Sequence, residues 1–323
     1  MDLPSLAQIE EAQSVVYESM TPTPQYNWPL LSERLRAEVW VKHENHTPVG
    51  AFKLRGALVY LNWLKKTQPQ LRGVVAATRG NHGQGIGFAA RRLGLPAVIV
   101  VPHSNSLEKN HAMQALGVEL IEYGDDFQMA LEYARTLAVK HGYAMVDSFH
   151  EQLVRGTATY AIEFLRSVPT LDAVYVPIGL GSSICGMAAA RNALGLKTEI
   201  IGVVAASSPS YAKSFCQRTL VEAPAQTRIA DGLACRTPNA DALEMIWMHV
   251  ARVIDVSDDA IEEAMRIYFS DTHSIAEGAA AAPLAGALTE ATQYRGGRIG
   301  LVLSGSNVDR PVFARVLNER GTA

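Results

Sequence analysis

Apolar, β-branched runs recur along the chain at 74–78, 97–102, 119–123, 144–149, 173–178, 199–205 and 298–304. They read as continuous rather than alternating, so each predicts a strand buried on both faces. Between them lie stretches such as 83–93 and 129–140 that mix apolar and charged positions and predict amphipathic helices. Gly94, Gly117 and Gly142 follow such stretches and suit helix ends, where glycine takes the left-handed cap without steric cost. The Ala-rich tract 276–288 predicts a tightly packed helix. This βαβ rhythm predicts an α/β fold of mainly parallel sheets covered by helices on both faces. Ligands then bind at the carboxyl ends of the strands.

The chain has 323 residues, 48% hydrophobic and 19% charged, more than one core usually fills, so two lobes are expected. No repeat of about 20 to 50 residues is visible, which argues against solenoids and propellers. Lys and Arg number 29 against 32 Asp and Glu, a net charge of −3. That leaves no positive surplus for nucleic acid or an anionic membrane surface. No apolar run approaches the roughly 18 residues that span a bilayer, and MDLPSLAQIEEAQ lacks the basic-then-apolar order of a secretory leader. A cytoplasmic location is expected. Cys185, Cys216 and Cys235 show neither disulfide-frame nor CxxC spacing; they are expected to be buried spare thiols, with no metal site.

Four loops are richer in Gly, Ser, Asn and His than packing requires. The first surrounds Lys53, which lies just inside a helix after a Pro and Gly loop and beside Phe52. A cation there opposes the helix dipole. It is either a solvated surface lysine or a partly desolvated amine, nucleophilic toward an aldehyde. The second, TRGNHGQG at 78–85, directly follows a strand and opens a helix. Its backbone N–H groups suit a carboxylate or phosphate, and Gly80 and Gly83 permit close approach. His82 has no partner one helical turn away, which favours a structural or substrate-orienting imidazole over a metal ligand.

The third loop, PIGLGSSICG at 177–186, makes an anion nest from its amides and the Ser182 and Ser183 hydroxyls. It lacks the Gly-Lys-Ser/Thr of a Walker loop, its spacing breaks GxGxxG, and Glu199 opens a strand instead of closing one. A single phosphate fits it better than a dinucleotide. The fourth, LSGSN at 303–307, reads on its own as a turn and helix cap.

In this order the segments resemble the pyridoxal-phosphate enzymes of the tryptophan-synthase-β fold type (fold type II), within the threonine/serine dehydratase and serine racemase group. The likeness runs from Thr21-Pro22 to Asn307. It rests on GAFKLRGA around Lys53, GNHGQG around Asn81, PIGLGSSICG, IADG at 229–232, Glu277 in AEG, and LSGSN around Ser304. It implies two open, mainly parallel twisted sheets flanked by helices. Residues 1–62 and 151–323 would form a large cofactor-anchoring domain, 63–150 a small mobile substrate-binding domain, and the assembly would be a homodimer.

The resemblance also implies the site. Lys53 is the Schiff-base lysine for pyridoxal 5'-phosphate. The phosphate lies on Gly179, Leu180, Gly181, Ser182 and Ser183, and the ring lies between Phe52 and Gly232. Asn81 bonds the ring hydroxyl, Glu277 joins the cofactor-binding set, and Ser304 faces the pyridine nitrogen as a second catalytic residue. The substrate carboxylate falls to Thr78, Arg79, Gly80, Asn81 and His82. An uncharged serine hydroxyl stabilises a protonated ring less than a carboxylate does, which suits rapid departure of a β-substituent. The implied reaction is dehydration and deamination of a β-hydroxy amino acid to a 2-oxo acid and ammonia. Threonine, serine, phenylserine and 3-hydroxyaspartate are candidate substrates.

Departures from the group's pattern bear on the alternatives. Thr78-Arg79-Gly80 stands where many relatives carry Ser-Ser-Gly, and a permanently protonated guanidinium is a poor base, which argues against an amino-acid racemase. Arg79 either pairs with a substrate carboxylate or is a structural residue on the rim. The phosphate loop has lost one of the usual four glycines, with Leu180 and Ser182 in its place. VVAASSPSY at 203–211 lacks the glutamate of metal-activated relatives, so no divalent cation is expected. The chain ends shortly after the catalytic unit, and feedback control by isoleucine is not expected. A β-replacement enzyme usually carries Thr where His82 stands. A non-catalytic anion-binding protein would use the same nests and be colourless.

Overall fold

Strands that bury both faces need two layers of helix, and the chain supplies them. The computed structural model describes residues 1–318. Its strands are β1 (Gln25–Asn27), β2 (Glu38–His43), β3 (Val74–Ala77), β4 (Ala97–Val101), β5 (Glu119–Glu122), β6 (Ala144–Met145), β7 (Ala173–Pro177), β8 (Glu199–Ala205), β9 (Arg252–Val256) and β10 (Arg298–Leu303). They form two sheets, ordered β1-β2-β10-β7-β8-β9 and β5-β4-β3-β6. All pairs are parallel except β1 with β2.

The helices are α1 (Leu6–Tyr17), α2 (Pro29–Leu35), α3 (Lys53–Thr67), α4 (Asn81–Arg92), α5 (Leu107–Ala115), α6 (Phe127–His141), α7 (Glu151–Ser167), α8 (Ser182–Ala193), α9 (Ser210–Gln217), α10 (Ala240–His249), α11 (Asp258–Thr272), α12 (Gly278–Thr289) and α13 (Arg310–Asn318). Period-2 geometry sends successive residues of β7 to opposite faces. Ala173 and Tyr175 join the core beneath α11 and α12, while Val174 and Val176 join the core beneath α7 and α8. In the smaller sheet, Val74 and Ala76 face α3 and α4, and Val75 and Ala77 face α6. The helix α3, which spans residue 62, packs Leu54, Ala57, Leu58 and Leu61 into the smaller sheet's core.

Several expectations are corrected. The run 144–149 is a strand only over Ala144–Met145; Phe149 leaves the small sheet to join the core beneath α8. The run 119–123 is an edge strand with Glu119 and Glu122 exposed, not a buried one. The strands β1, β2 and β9 were not foreseen because charged residues such as Lys42 and Asp255 interrupt their apolar pattern. Cys185 and Cys235 are buried, but Cys216 is exposed.

Candidate active site

The carboxyl ends of β3, β7 and β10 lead into the loops containing Thr78–Gly80, Ile178–Gly181 and Ser304–Asn307. Because β3 belongs to one sheet and β7 and β10 to the other, the loops meet across a cleft. Asn81 Nδ2 donates to Glu277 Oε1 at 2.6 Å, and Asn307 Nδ2 donates to Asn81 Oδ1 at 2.8 Å. The segment before α3 is stitched to the end of β10: Phe52 N donates to Ser304 O at 3.0 Å and Ser306 N to Gly50 O at 2.9 Å. These bonds place Lys53, the first residue of α3, at the centre.

The Lys53 Nζ lies 3.5 Å from Ser182 Oγ and 5.0 Å from the centre of the Phe52 ring. No carboxylate pairs with it among the described residues. Burial lowers its pKa from 10.5 to about 8, so a usable fraction is the neutral amine near pH 7. His82 is also buried, and desolvation followed by the nearby Lys53 charge lowers its pKa to about 3. The ring is therefore neutral. It bonds the Val146 backbone, and its Nε2 has no hydrogen-bond partner among the described residues.

Opposite Lys53, α8 begins at Ser182 with no side-chain cap and no acidic residue in its first turn. Its leading N–H groups lack intrahelical acceptors and carry the positive end of the helix dipole, so they suit an anion. Three side chains anchor this turn through its oxygens. Thr157 donates to Ser182 O at 2.7 Å, Tyr160 and Ser183 share a 2.7 Å hydroxyl contact, and Tyr211 donates to Leu180 O at 3.0 Å. At Gly179 a Cβ would lie 2.3 Å from the Gly232 carbonyl, so only glycine lets these two expected ligand-binding segments touch.

The other expected residues divide. Ser304 is buried, and its hydroxyl has no hydrogen-bond partner among the described residues. The Thr78 hydroxyl oxygen supports its own turn, accepting from Gly80 N at 2.9 Å and Gly83 N at 3.4 Å, and its O–H remains a donor. Arg79 is exposed and makes no ion pair or hydrogen bond with another described residue. The Ser183 hydroxyl turns to Tyr160 and the Leu180 side chain packs at the edge of the core. Gly80 caps α4, whose first turn also lacks an acid and a side-chain cap.

Sequence reading assigned no role to Lys109, Asn307, Tyr160 or Tyr211. Asn307 sits in the LSGSN marker and Tyr211 in the 203–211 segment, so both were within sight. Lys109 occupies an ordinary polar run, LEKNH, and carries no local signal. It lines a cavity of about 200 Å³ with Asp231, Gly232, Glu277, Asn307 and Asp309.

Comparison with known proteins decides the family: the one described as pyridoxal-phosphate dependent enzyme matches residues 16–305. The chain belongs to that family. It is 30% identical over 316 residues to L-threonine ammonia-lyase of Thermotoga maritima, covering 98% of this chain and 78% of that protein. It is 30% identical over 319 residues to L-threo-3-hydroxyaspartate ammonia-lyase of Saccharomyces cerevisiae, covering 98% of both. Maize serine racemase superposes with a TM-score of 0.91 at 26% identity, covering 97% of each chain. The two open, mainly parallel sheets are those of the family's fold type II members.

The residues fit the family's cofactor. A buried amine without a counter-ion among the described residues suits its aldehyde, and the uncapped start of α8 suits its phosphate. The His82 Nε2 and the Ser304 hydroxyl are polar groups without hydrogen-bond partners among the described residues.

Proposed function

We propose that this enzyme dehydrates and deaminates a β-hydroxy amino acid, such as threonine, serine or a bulkier analogue, to a 2-oxo acid and ammonia. The observation that carries the reading is Lys53: a desolvated amine with no carboxylate partner among the described residues, 3.5 Å from the Ser182 hydroxyl at an uncapped helix start. When bound, pyridoxal phosphate supplies an aldehyde for amino groups and an electron-withdrawing ring that acidifies the α C–H bond. The turn from Gly179 to Ser183 would hold the phosphate, Phe52 and Gly232 would flank the ring, and Ser304 would serve its nitrogen. Asn81, beside Glu277, would donate to the ring oxygen. The turn from Thr78 to Gly80 and the N-terminus of α4, with Arg79, Asn81 and the neutral His82, would hold the substrate carboxylate. The Lys53 amine takes the α-proton at Nζ, and its low pKa keeps it competent near neutral pH.

The domain reading belongs here too. Residues 1–62 and 151–323 form the large domain, and 63–150 form a small domain that closes over substrate. Support comes from the separate four-stranded sheet and from the contacts of α5 with residues beyond 230. Tyr26, Leu30, Phe269 and Ile275 are exposed apolar side chains flanking the larger sheet and support a homodimer through the large domain. Among the described residues no helix is long and apolar enough to cross a membrane, and a cytoplasmic location is proposed.

A panel of β-hydroxy amino acids assayed for 2-oxo acid and ammonia tests the reading, with Lys53→Ala as blank. Activity on at least one, lost by about a thousandfold or more in the variant, is expected. A purified protein that takes up no cofactor would overturn it. D-serine formed from L-serine would favour the racemase; Arg79 argues against that outcome, because a guanidinium is always protonated.

A further inference from the structure

Lys109 links the two sheets at the candidate site. It enters from the first turn of α5, with its backbone N–H bonded to Ser106 Oγ at 3.1 Å. Its stem runs directly over Gly80, where a Cβ would lie 2.5 Å from Lys109 Cδ. Its Nζ then lies 3.6 Å from Asp231 Oδ2 and 3.7 Å from Glu277 Oε2. Beside it, Ser106 bonds Asp309, and both Glu108 oxygens accept from Arg310 N at 3.1 Å. These contacts hold α5 against the residues that follow β10.

Glu277 is the N-cap residue of α12, yet its side chain makes no cap bond. One oxygen accepts from Asn81, and the other faces Lys109. Burial raises its pKa, Lys109 and Asn81 oppose that rise, and Asp231 adds to it. Lys109 comes from α5, Asp231 from the short turn Asp231–Leu233, and Asn81 from α4. Gly305 packs against Glu277 from the loop after β10, which carries no titratable group through residue 307. Lys109 is therefore the one cation facing this carboxyl among the described residues.

The charge of Glu277 sets the direction of Asn81. A carboxylate only accepts, so Asn81 must present its NH₂ to it, while Asn307 donates to the Asn81 oxygen. One Asn81 N–H then remains for a ligand. A protonated Glu277 could donate instead, and the amide would lose its enforced direction.

We infer that Lys109 is a positioning residue that reaches across the cleft, keeps Glu277 a carboxylate and thereby locks Asn81 as a donor toward the cofactor ring. This rests on the function proposed above. The experiment is a pH titration of the visible absorbance of the holoenzyme in the parent, Lys109→Met, Lys109→Arg and Lys109→Met/Glu277→Gln proteins. In Lys109→Met the spectral transition moves up by about one to three pH units, the span set by an opposite charge within about 4–6 Å. Lys109→Arg restores the parent profile, and the double variant, with no carboxyl to titrate, loses the transition.

A parent profile retained in Lys109→Met would overturn the inference. Loss of cofactor in Lys109→Met supports it if the double variant regains cofactor and overturns it if the double variant does not. A parent protein that binds no cofactor removes the underlying reading as well, which distinguishes the two failures.

Discussion

Lys53 and Arg55 are two residues apart in the first turn of α3, and both place a cation inside the protein. Their surroundings are opposite. Arg55 is fully buried and bonded to Glu44 at 2.7 Å, Glu163 at 2.5 Å, Thr159 at 3.0 Å and Thr23 at 3.2 Å. Lys42 completes the cluster, 2.6 Å from Glu163. Burial alone would lower the Arg55 pKa, but Glu44 and Glu163 raise it. Lys53 has no such partner among the described residues, and burial lowers its pKa to about 8. Similar desolvation thus yields a structural ion in one case and an amine with a lowered pKa in the other; the facing carboxylates make the difference. A satisfied polar cluster stiffens a helix, whereas an unsatisfied one is available to a ligand.

Breaking the satisfied side has the largest expected effect on stability. Arg55→Met leaves Glu44 and Glu163 buried with Lys42 as their remaining cation, and destabilisation of about 3–5 kcal/mol is expected in denaturant unfolding. The Glu163 pKa is lowered because Arg55 and Lys42 together outweigh the burial that would raise it. Its contribution is present above the unfolded carboxylate value and lost as pH falls through the lower folded one. The gap between parent and variant therefore narrows on acidification. An equal gap at neutral and acid pH would contradict the comparison.

Removing the unsatisfied cation has the opposite sign. In the cofactor-free protein, Lys53→Met is expected to stabilise by about 1–3 kcal/mol at pH 7, since the charged amine is disfavoured by burial. Below the folded value of about 8 both states of the parent are protonated, and the penalty is complete. It declines as pH rises toward the unfolded value near 10.5. Thermal unfolding of the two apoproteins at pH 7 and pH 10 checks the sign, and a less stable variant at pH 7 would count against it.

The smallest change concerns the anion turn. Tyr211 donates to Leu180 O and accepts from Asn239 N at 3.1 Å, tying the turn to α10. Tyr211→Phe removes about 1 kcal/mol of anchoring, so cofactor affinity falls about fivefold in an equilibrium titration. Unchanged affinity would show that the turn holds its shape without this bond.

Much of the larger architecture was legible because parallel strands covered on both faces leave long apolar runs. β3, β4, β7, β8 and β10 stand within one residue of the expected runs. Strands with one charged or edge-facing side were not: β2 carries Lys42, whose burial makes sense only beside Glu163, 121 positions away. In the site, Lys53, Asn81 and the nest at 179–183 were visible as loops richer in Gly, Ser and Asn than packing needs. Thr78 was visible only as a residue type; the fold shows its hydroxyl oxygen accepting from Gly80 N and Gly83 N, which shapes the turn and leaves its O–H as a donor.

By itself, then, the sequence determined the buried parallel strands β3, β4, β7, β8 and β10, which turns at strand ends are rich in Gly and Ser, and which lysine stands at a helix start. Local periodicity and glycine placement act over a few residues, so they can be read along the chain. Only the tertiary structure decided which of two neighbouring cations meets carboxylates, and that Lys109 crosses from one sheet to Glu277 near the other. Charge pairing depends on distances between residues far apart in sequence, which spacing along the chain does not encode.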